Sequence, residues 1–307
     1  MIRPNFVIAG APKAGTTALT EYLRQHPKVF ISKPKETHYF AKDLSRYRFV
    51  TTEEDYLGLF EHAGENRSAV GEGSVFYLYS EFAFLLLSEF DPAMKFIVMF
   101  RNPLELVHSL HSQLVYSRDE DVEEFEQAWK LCSERKDGKQ IPKDCREAKI
   151  LYYDELGKMG SQYAKLLKYF PKEQVLEIFF EDFSKDTKKE YDRVLDFLSL
   201  PKVYPEDFKV INKRKAHKYK WLATLTQRPP APLRKTVGYL NQKVKSLFGI
   251  ERFGVINKLR DFNRQQVKKQ QLSRELQQSI IENYRDDIDT LSSLTGRDLS
   301  GWQVVKE

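Results

Sequence analysis

The chain has 307 residues, of which 41% are hydrophobic and 31% charged. This composition supports a substantial buried core and excludes a disordered, collagen-like or coiled-coil protein. The apolar runs are far shorter than the roughly 20 residues that cross a bilayer, so we expect no integral membrane protein. The N-terminal residues lead into a strand-like segment without the features of a signal peptide, which predicts a cytoplasmic protein.

Positive charge is concentrated late in the chain. The net charge is +6, yet residues 209–260 contain fourteen Lys or Arg and a single Glu. Such a tract indicates an anionic partner: a phosphorylated small molecule, an acidic polysaccharide, nucleic acid or a membrane surface. Between residues 233 and 247 apolar residues follow helical spacing with cations between them, which fits either a membrane-surface helix or the solvated face of a packed helix.

Short apolar runs alternate with helical patterns, and this order predicts βα units with a mainly parallel sheet. The predicted strands are residues 6–9, 69–72, 96–100 and 175–180. The predicted helices cover about 17–25, an aromatic segment reaching 90, 103–116, 161–169, a stretch ending near 200, and 272–291 before Gly296. We expect a single domain over 1–307, with an α/β core at 1–211 and a basic loop and helical C-terminal extension at 212–307.

The first strand leads into a loop, residues 10–17, with the Gly-x4-Gly spacing that cradles phosphate at a helix N-terminus. Backbone N–H groups and the helix dipole would face an oxyanion, and the hydroxyls of Thr16 and Thr17 add donors. Lys13 lies two positions before Gly15, instead of directly after it as in nucleotide triphosphatases. The loop therefore predicts an anion site that differs from an ordinary ATP or GTP site.

A second anion-binding group follows the third predicted strand. Arg101 ends that strand, where open α/β sheets bind ligands. Ser109 is expected on the polar face of the next helix, whose N-cap is Asn102 and whose first residue is Pro103. Arg101 and Ser109 could bind one phosphate together. The alternative is that Arg101 pairs with a neighbouring carboxylate.

Together these segments resemble the sulfotransferases that use 3′-phosphoadenosine 5′-phosphosulfate (PAPS). Residues 12–19, 26–27 and 35–40 resemble the 5′-phosphosulfate loop and the segment after it, and 96–109 the 3′-phosphate motif. Residues 163–182 are similar to heparan sulfate sulfotransferases and their bacterial relatives, and residues 295–299 resemble the bacterial members. The resemblance implies a three-layer, P-loop-like fold and transfer of a sulfuryl group, without a metal, to a hydroxyl or amine of a carbohydrate or lipid-linked acceptor. We expect no nucleic-acid partner, and the cationic helical pattern at 233–247 leaves peripheral membrane contact open.

The resemblance also implies residue roles. Lys13 stabilises the leaving phosphate, and Glu36 acts as general base, with His38 as the rival base. The flanking Lys33, Lys35 and His38 are expected to keep the Glu36 carboxylate ionised. Glu72 is expected to orient the acceptor or to bridge to a loop cation. The implied PAPS contacts are Lys13, Ala14, Gly15, Thr16, Thr17, Arg101, Ser109, Lys215 and Lys218.

Two other functions remain open from the residues alone. A P-loop nucleotide or small-molecule kinase would need Glu181 and Asp182 to hold magnesium. A non-enzymatic module would use the basic tract to bind nucleic acid or acidic glycan. Cys132 and Cys145 have no metal-ligand or redox spacing, and two reduced thiols are favoured over a disulfide.

Overall fold

The centre of the protein, in a computed structural model that describes residues 2–208 and 271–305, is a parallel five-stranded sheet in the order β2-β3-β1-β4-β5. Outside those residues only the backbone of two further short strands is described. The sheet strands are β1 (Phe6–Gly10), β2 (Val29–Ile31), β3 (Ala69–Glu72), β4 (Lys95–Phe100) and β5 (Val175–Phe179). The two further strands, β6 (Lys215–His217) and β7 (Arg264–Gln266), pair antiparallel.

Eleven α-helices lie in the described part of the chain. The first six are α1 (Thr16–Leu23), α2 (Glu53–Gly58), α3 (Ala83–Phe90), α4 (Pro103–Ser117), α5 (Phe125–Lys130) and α6 (Cys132–Lys136). The other five are α7 (Tyr153–Leu156), α8 (Met159–Tyr169), α9 (Phe180–Lys185), α10 (Thr187–Phe197) and α11 (Arg274–Thr295).

Strand β1 lies at the centre of the sheet, and all five of its residues are buried. A parallel strand that is covered on both faces requires such a continuous apolar run. In register, Val7 pairs with Glu72 on one side and with Phe96 on the other. The carboxyl ends of β1, β3 and β4 therefore meet at one edge of the sheet, where ligands of open α/β sheets bind.

The four predicted strands are confirmed, as are the βα alternation and the parallel sheet. The side chain of Asn102 accepts hydrogen bonds from the backbone N–H groups of Leu104 (3.0 Å) and Glu105 (3.4 Å), as its predicted capping role requires. Strand β2, at the edge of the sheet, was not predicted from the sequence, because its three residues are too few to show a periodic pattern.

Two predicted helices differ in the structure. The aromatic helix begins only at Ala83, because the hydroxyl of Ser80 accepts from the backbone N–H of Ala83 at 3.2 Å and starts the helix there. The helix predicted after β5 is two helices. They are separated at Asp186, whose carboxylate caps α10 by accepting from the N–H of Lys189 at 3.0 Å.

The last helix is confirmed, and Gly296 ends it in the left-handed conformation. Helix α11 packs against α8, where the carboxylate of Asp287 accepts from the N–H groups of Gly160 (2.7 Å) and Ser161 (2.8 Å). Both cysteines are free and buried, and burial raises the pKa of each thiol to about 11. Within residues 2–208 and 271–305, no helix is long and apolar enough to cross a membrane.

Candidate active site

The loop after β1 has the backbone shape of an anion-binding loop. Lys13 and Gly15 have positive φ angles of 64° and 95°. Gly15 is the N-cap of α1 and no described side chain caps this helix, so its first N–H groups face the loop. A side chain at Gly15 would be strained and would meet Met99 and Phe180 at 3.3 Å. The loop is therefore held close to the sheet at a position that only glycine occupies without strain.

Arg101 and Lys13 lie together at this edge. Nη1 of Arg101 donates to the carbonyl oxygen of Lys13 at 2.8 Å, and its guanidinium lies 4.5 Å from the ring centroid of Phe180. Nη2 is 3.6 Å from Oε2 of Glu105, so the predicted alternative of a carboxylate pair also holds. Arg101 thus supports the loop backbone and places positive charge beside it.

Helix α4 forms the other wall of this region. Nζ of Lys13 donates to Oε1 of Gln113 at 2.9 Å. Ser109 lies one turn before Gln113 and so shares its side of the helix. Ser109 was expected on a polar face but is buried, because α4 is enclosed on more sides than its leucines alone predict. The structure brings Lys13 into contact with Arg101 and with the helix that carries Ser109.

The segment with Glu36 and His38 lies against the start of α1. Nζ of Lys35 donates to Oγ1 of Thr16 at 3.4 Å and forms an ion pair with Oε1 of Glu36 at 3.1 Å. The Glu36 side chain is 39% exposed, whereas that of His38 is 2% exposed. Of the two candidate bases, Glu36 is the one that an acceptor can reach.

His38 lies behind Glu36, with Nε2 at 4.0 Å from Oε2 of the carboxylate. Nε2 is buried and has no hydrogen-bond partner among the residues that the structure describes. Burial lowers the pKa of His38 to about 4, against the opposing effect of Glu36, so the imidazole is neutral at pH 7.

Glu72, at the end of β3, is a buried acceptor for several hydroxyl groups. Its carboxylate accepts from the hydroxyls of Thr37 (2.8 Å), Tyr77 (2.7 Å) and Tyr56 (3.1 Å), and also from that of Ser74. Burial raises the pKa of Glu72, and these hydrogen bonds oppose the shift. The expectation that Glu72 orients the acceptor or bridges to a cation is wrong, because the carboxylate is fully buried among hydroxyls.

The Glu72 cluster holds the segment that carries the candidate bases. Oγ of Ser74 accepts from the backbone N–H groups of Thr37 (3.0 Å) and His38 (2.8 Å). Thr37 therefore bonds to Glu72 through its hydroxyl and to Ser74 through its backbone. Thr37 and His38, directly after Glu36, are therefore held by side chains more than thirty residues away in sequence.

The structure describes only some of the remaining predicted site residues. Ala14 is buried in the loop, and Thr17 is half-buried in the first turn of α1. Only the backbone of Lys215 is described, in β6, which lies next to α4. Lys218 and the cationic segment 233–247 lie outside the described residues.

Asp182, one of the two acidic residues that a kinase would need for magnesium, is engaged in an ion pair. The carboxylate of Asp182 accepts from Nη2 of Arg297 at 3.0 Å and also from Nη1 of the same side chain. This hydrogen bonding lowers the pKa of Asp182. The ion pair between Asp182 and Arg297 therefore connects α9 to the C-terminal segment, which gives Asp182 a structural role.

A model of the sulfotransferase domain family matches residues 3–225. The chain belongs to the sulfotransferase family. Carbohydrate sulfotransferase 15 of Rattus norvegicus is 27% identical over 252 residues, which are 64% of this chain and 44% of that protein. Heparan sulfate glucosamine 3-O-sulfotransferase 3B1 of Homo sapiens is 26% identical over 261 residues, covering 85% of this chain and 60% of that protein. The chain thus spans about half the length of the curated relatives it matches.

A solved structure supports the fold of this sulfotransferase. The crystal structure of a sulfotransferase from Alicyclobacillus acidocaldarius superposes with a TM-score of 0.71 at 24% identity, covering 99% of this chain and 100% of that chain. The predicted P-loop-like α/β fold and the family resemblance are confirmed.

Sequence reasoning missed two features of this site. Gln113, the partner of Lys13, carries no signal in the sequence beyond its position one helical turn after Ser109. The hydroxyl cluster around Glu72 joins residues 37, 56, 74 and 77, and single-chain periodicity holds no information on such contacts.

Proposed function

We propose that this protein transfers a sulfuryl group from PAPS to a hydroxyl group of a carbohydrate. The observation that carries the proposal is that the anion-binding loop and the Glu36 segment meet, with Nζ of Lys35 bridging Thr16 and Glu36. An anion site beside a reachable carboxylate is what transfer of an anionic group to a neutral hydroxyl requires.

The loop residues would hold the donor. The N–H groups at the start of α1 and the hydroxyls of Thr16 and Thr17 would bind the 5′-phosphosulfate, and Lys13 would stabilise negative charge on the phosphate as it leaves. Arg101 and Ser109 would bind the 3′-phosphate. Lys215 and Lys218, which follow the core, are proposed to cover the bound nucleotide.

Glu36 would take the proton of the acceptor hydroxyl. Its exposure, against the burial of His38, supports Glu36 as the base. The charge neutralisation on the donor comes from Lys13, Arg101 and backbone N–H groups, so we propose a reaction that needs no metal ion. A carbohydrate acceptor is favoured because the relatives named for their acceptors act on carbohydrate and heparan sulfate.

The test is release of 3′-phosphoadenosine 5′-phosphate (PAP) from PAPS in the presence of desulfated polysaccharides, followed by mass spectrometry of the glycan. We expect PAP release and a mass increase of one sulfuryl group, both without added metal and both lost in Glu36→Gln. Equal PAP release by wild type and Glu36→Gln, with an unmodified glycan in both, would contradict the proposal.

A further inference from the structure

The side chain of Lys35 lies across Gly73. A Cβ atom placed on Gly73 would be 2.9 Å from Cε and 3.2 Å from Cγ of Lys35. The backbone N–H of Gly73 also donates to the carbonyl oxygen of Lys35 at 2.9 Å. The alkyl chain of Lys35 therefore runs through space that is open because residue 73 has no side chain.

Along this path the ammonium group of Lys35 lies where the loop after β1 meets the segment that contains Glu36. Nζ lies 3.4 Å from Oγ1 of Thr16 in the first turn of α1 and 3.1 Å from Oε1 of Glu36. The Lys35 side chain is only 12% exposed. The buried Nε2 of His38, which has no hydrogen-bond partner within the described part of the chain, lies 4.0 Å from the other oxygen of the same carboxylate. A largely desolvated cation thus stands between the anion loop and the candidate base.

We propose that Lys35 binds the sulfuryl oxygens of the donor, and that Gly73 is the positioning residue that gives Lys35 its path. The inference rests on the proposed function. In the transfer, a bond forms between the acceptor oxygen and sulfur while the bond from sulfur to the bridging oxygen breaks. The acceptor proton goes to Glu36, and the bridging oxygen leaves with PAP. Lys35 keeps its proton and offsets charge on the sulfuryl oxygens, which are present in PAPS and absent from PAP.

The test compares the affinities for PAPS and for PAP, measured by calorimetry without an acceptor. Lys35→Met keeps the alkyl chain and removes the charge. We expect it to weaken PAPS binding about tenfold, since one charge-assisted hydrogen bond is lost, and to leave PAP binding unchanged within about twofold. Lys28→Met, at an exposed lysine directly before β2, is the control and should change neither affinity.

Gly73→Ala tests the positioning role. We expect it to weaken PAPS binding in the wild-type background and to have no further effect in Lys35→Met. Unchanged PAPS affinity in Lys35→Met, or an equal loss for PAP, would overturn the role of Lys35. Unchanged PAPS affinity in Gly73→Ala would overturn the role of Gly73. A wild-type protein that binds neither nucleotide would instead refute the proposed function, and the inference would fall with it.

Discussion

Two loops meet at the carboxyl edge of the sheet, and they are held in place by different means. The loop after β1 is shaped by its own backbone, with positive φ angles at Lys13 and Gly15 and a hydrogen bond from Arg101. The segment with Glu36 is held by side chains from distant positions, chiefly Glu72 and Ser74. The loop after β1, which is the proposed donor side, therefore owes its shape largely to its own backbone. The segment with Glu36, which is the proposed acceptor side, depends on side chains that are distant in sequence.

The largest expected effect comes from the donor side. Replacing Lys13 with Met removes the ammonium group that we propose stabilises the leaving phosphate, and we expect kcat to fall about 10³-fold, or ~4 kcal/mol. The measurement is PAP release under saturating PAPS, with the exposed Lys28→Met as the control. A folded Lys13→Met protein within about threefold of wild-type activity would show that the loop does not serve the donor.

The next effect is on stability and comes from the acceptor side. Glu72→Ala leaves buried hydroxyls of Thr37, Tyr56 and Tyr77 without their acceptor, so we expect the free energy of unfolding to fall by about 3 kcal/mol. Urea denaturation measures it, and Tyr56→Phe should lower that free energy by about 1 kcal/mol. A loss below about 1 kcal/mol in Glu72→Ala would mean that the cluster does not hold the segment.

His38 should make stability depend on pH. Its pKa is about 4 in the folded protein, against 6.5 for an unperturbed histidine, so the unfolded chain binds more protons between these values. The free energy of unfolding should then fall as pH drops from 7 to 5, by about 2 kcal/mol from this group.

The matched variant is His38→Asn, because asparagine tolerates the left-handed backbone at this position, where φ is 47°. Its pH profile between 7 and 5 should be flatter than that of the wild type by the same amount. Parallel profiles would show that His38 is protonated as readily in the folded protein as in the unfolded chain.

The smallest effect is expected at Asp182. The side chains of Asp182 and Arg297 are 41% and 34% exposed, so solvent weakens the pair. Asp182→Asn should lower the free energy of unfolding by less than about 1 kcal/mol. It should leave PAP binding unchanged with or without magnesium. Loss of magnesium-dependent nucleotide binding in this variant would instead favour the kinase alternative.

The contrast between the loop after β1 and the segment with Glu36 also explains which features could be predicted from the sequence. The glycine spacing, Lys13, the strand before Arg101 and the cap at Asn102 are local signals, and the structure places them as expected. Glu72 was recognised as a residue at a strand end, but its role was misassigned because its hydroxyl partners lie in separate stretches of sequence. The burial of His38, which separates it from Glu36 as a candidate base, likewise depends on packing from elsewhere in the chain.

The central claim is that the loop after β1 holds a sulfuryl donor and not a nucleoside triphosphate. Calorimetric titration with PAP, beside ATP with magnesium, tests it on the wild type and on Arg101→Ala. We predict metal-independent binding of PAP that weakens in Arg101→Ala and exceeds the affinity for ATP with magnesium. Binding of ATP with magnesium and none of PAP would contradict the account.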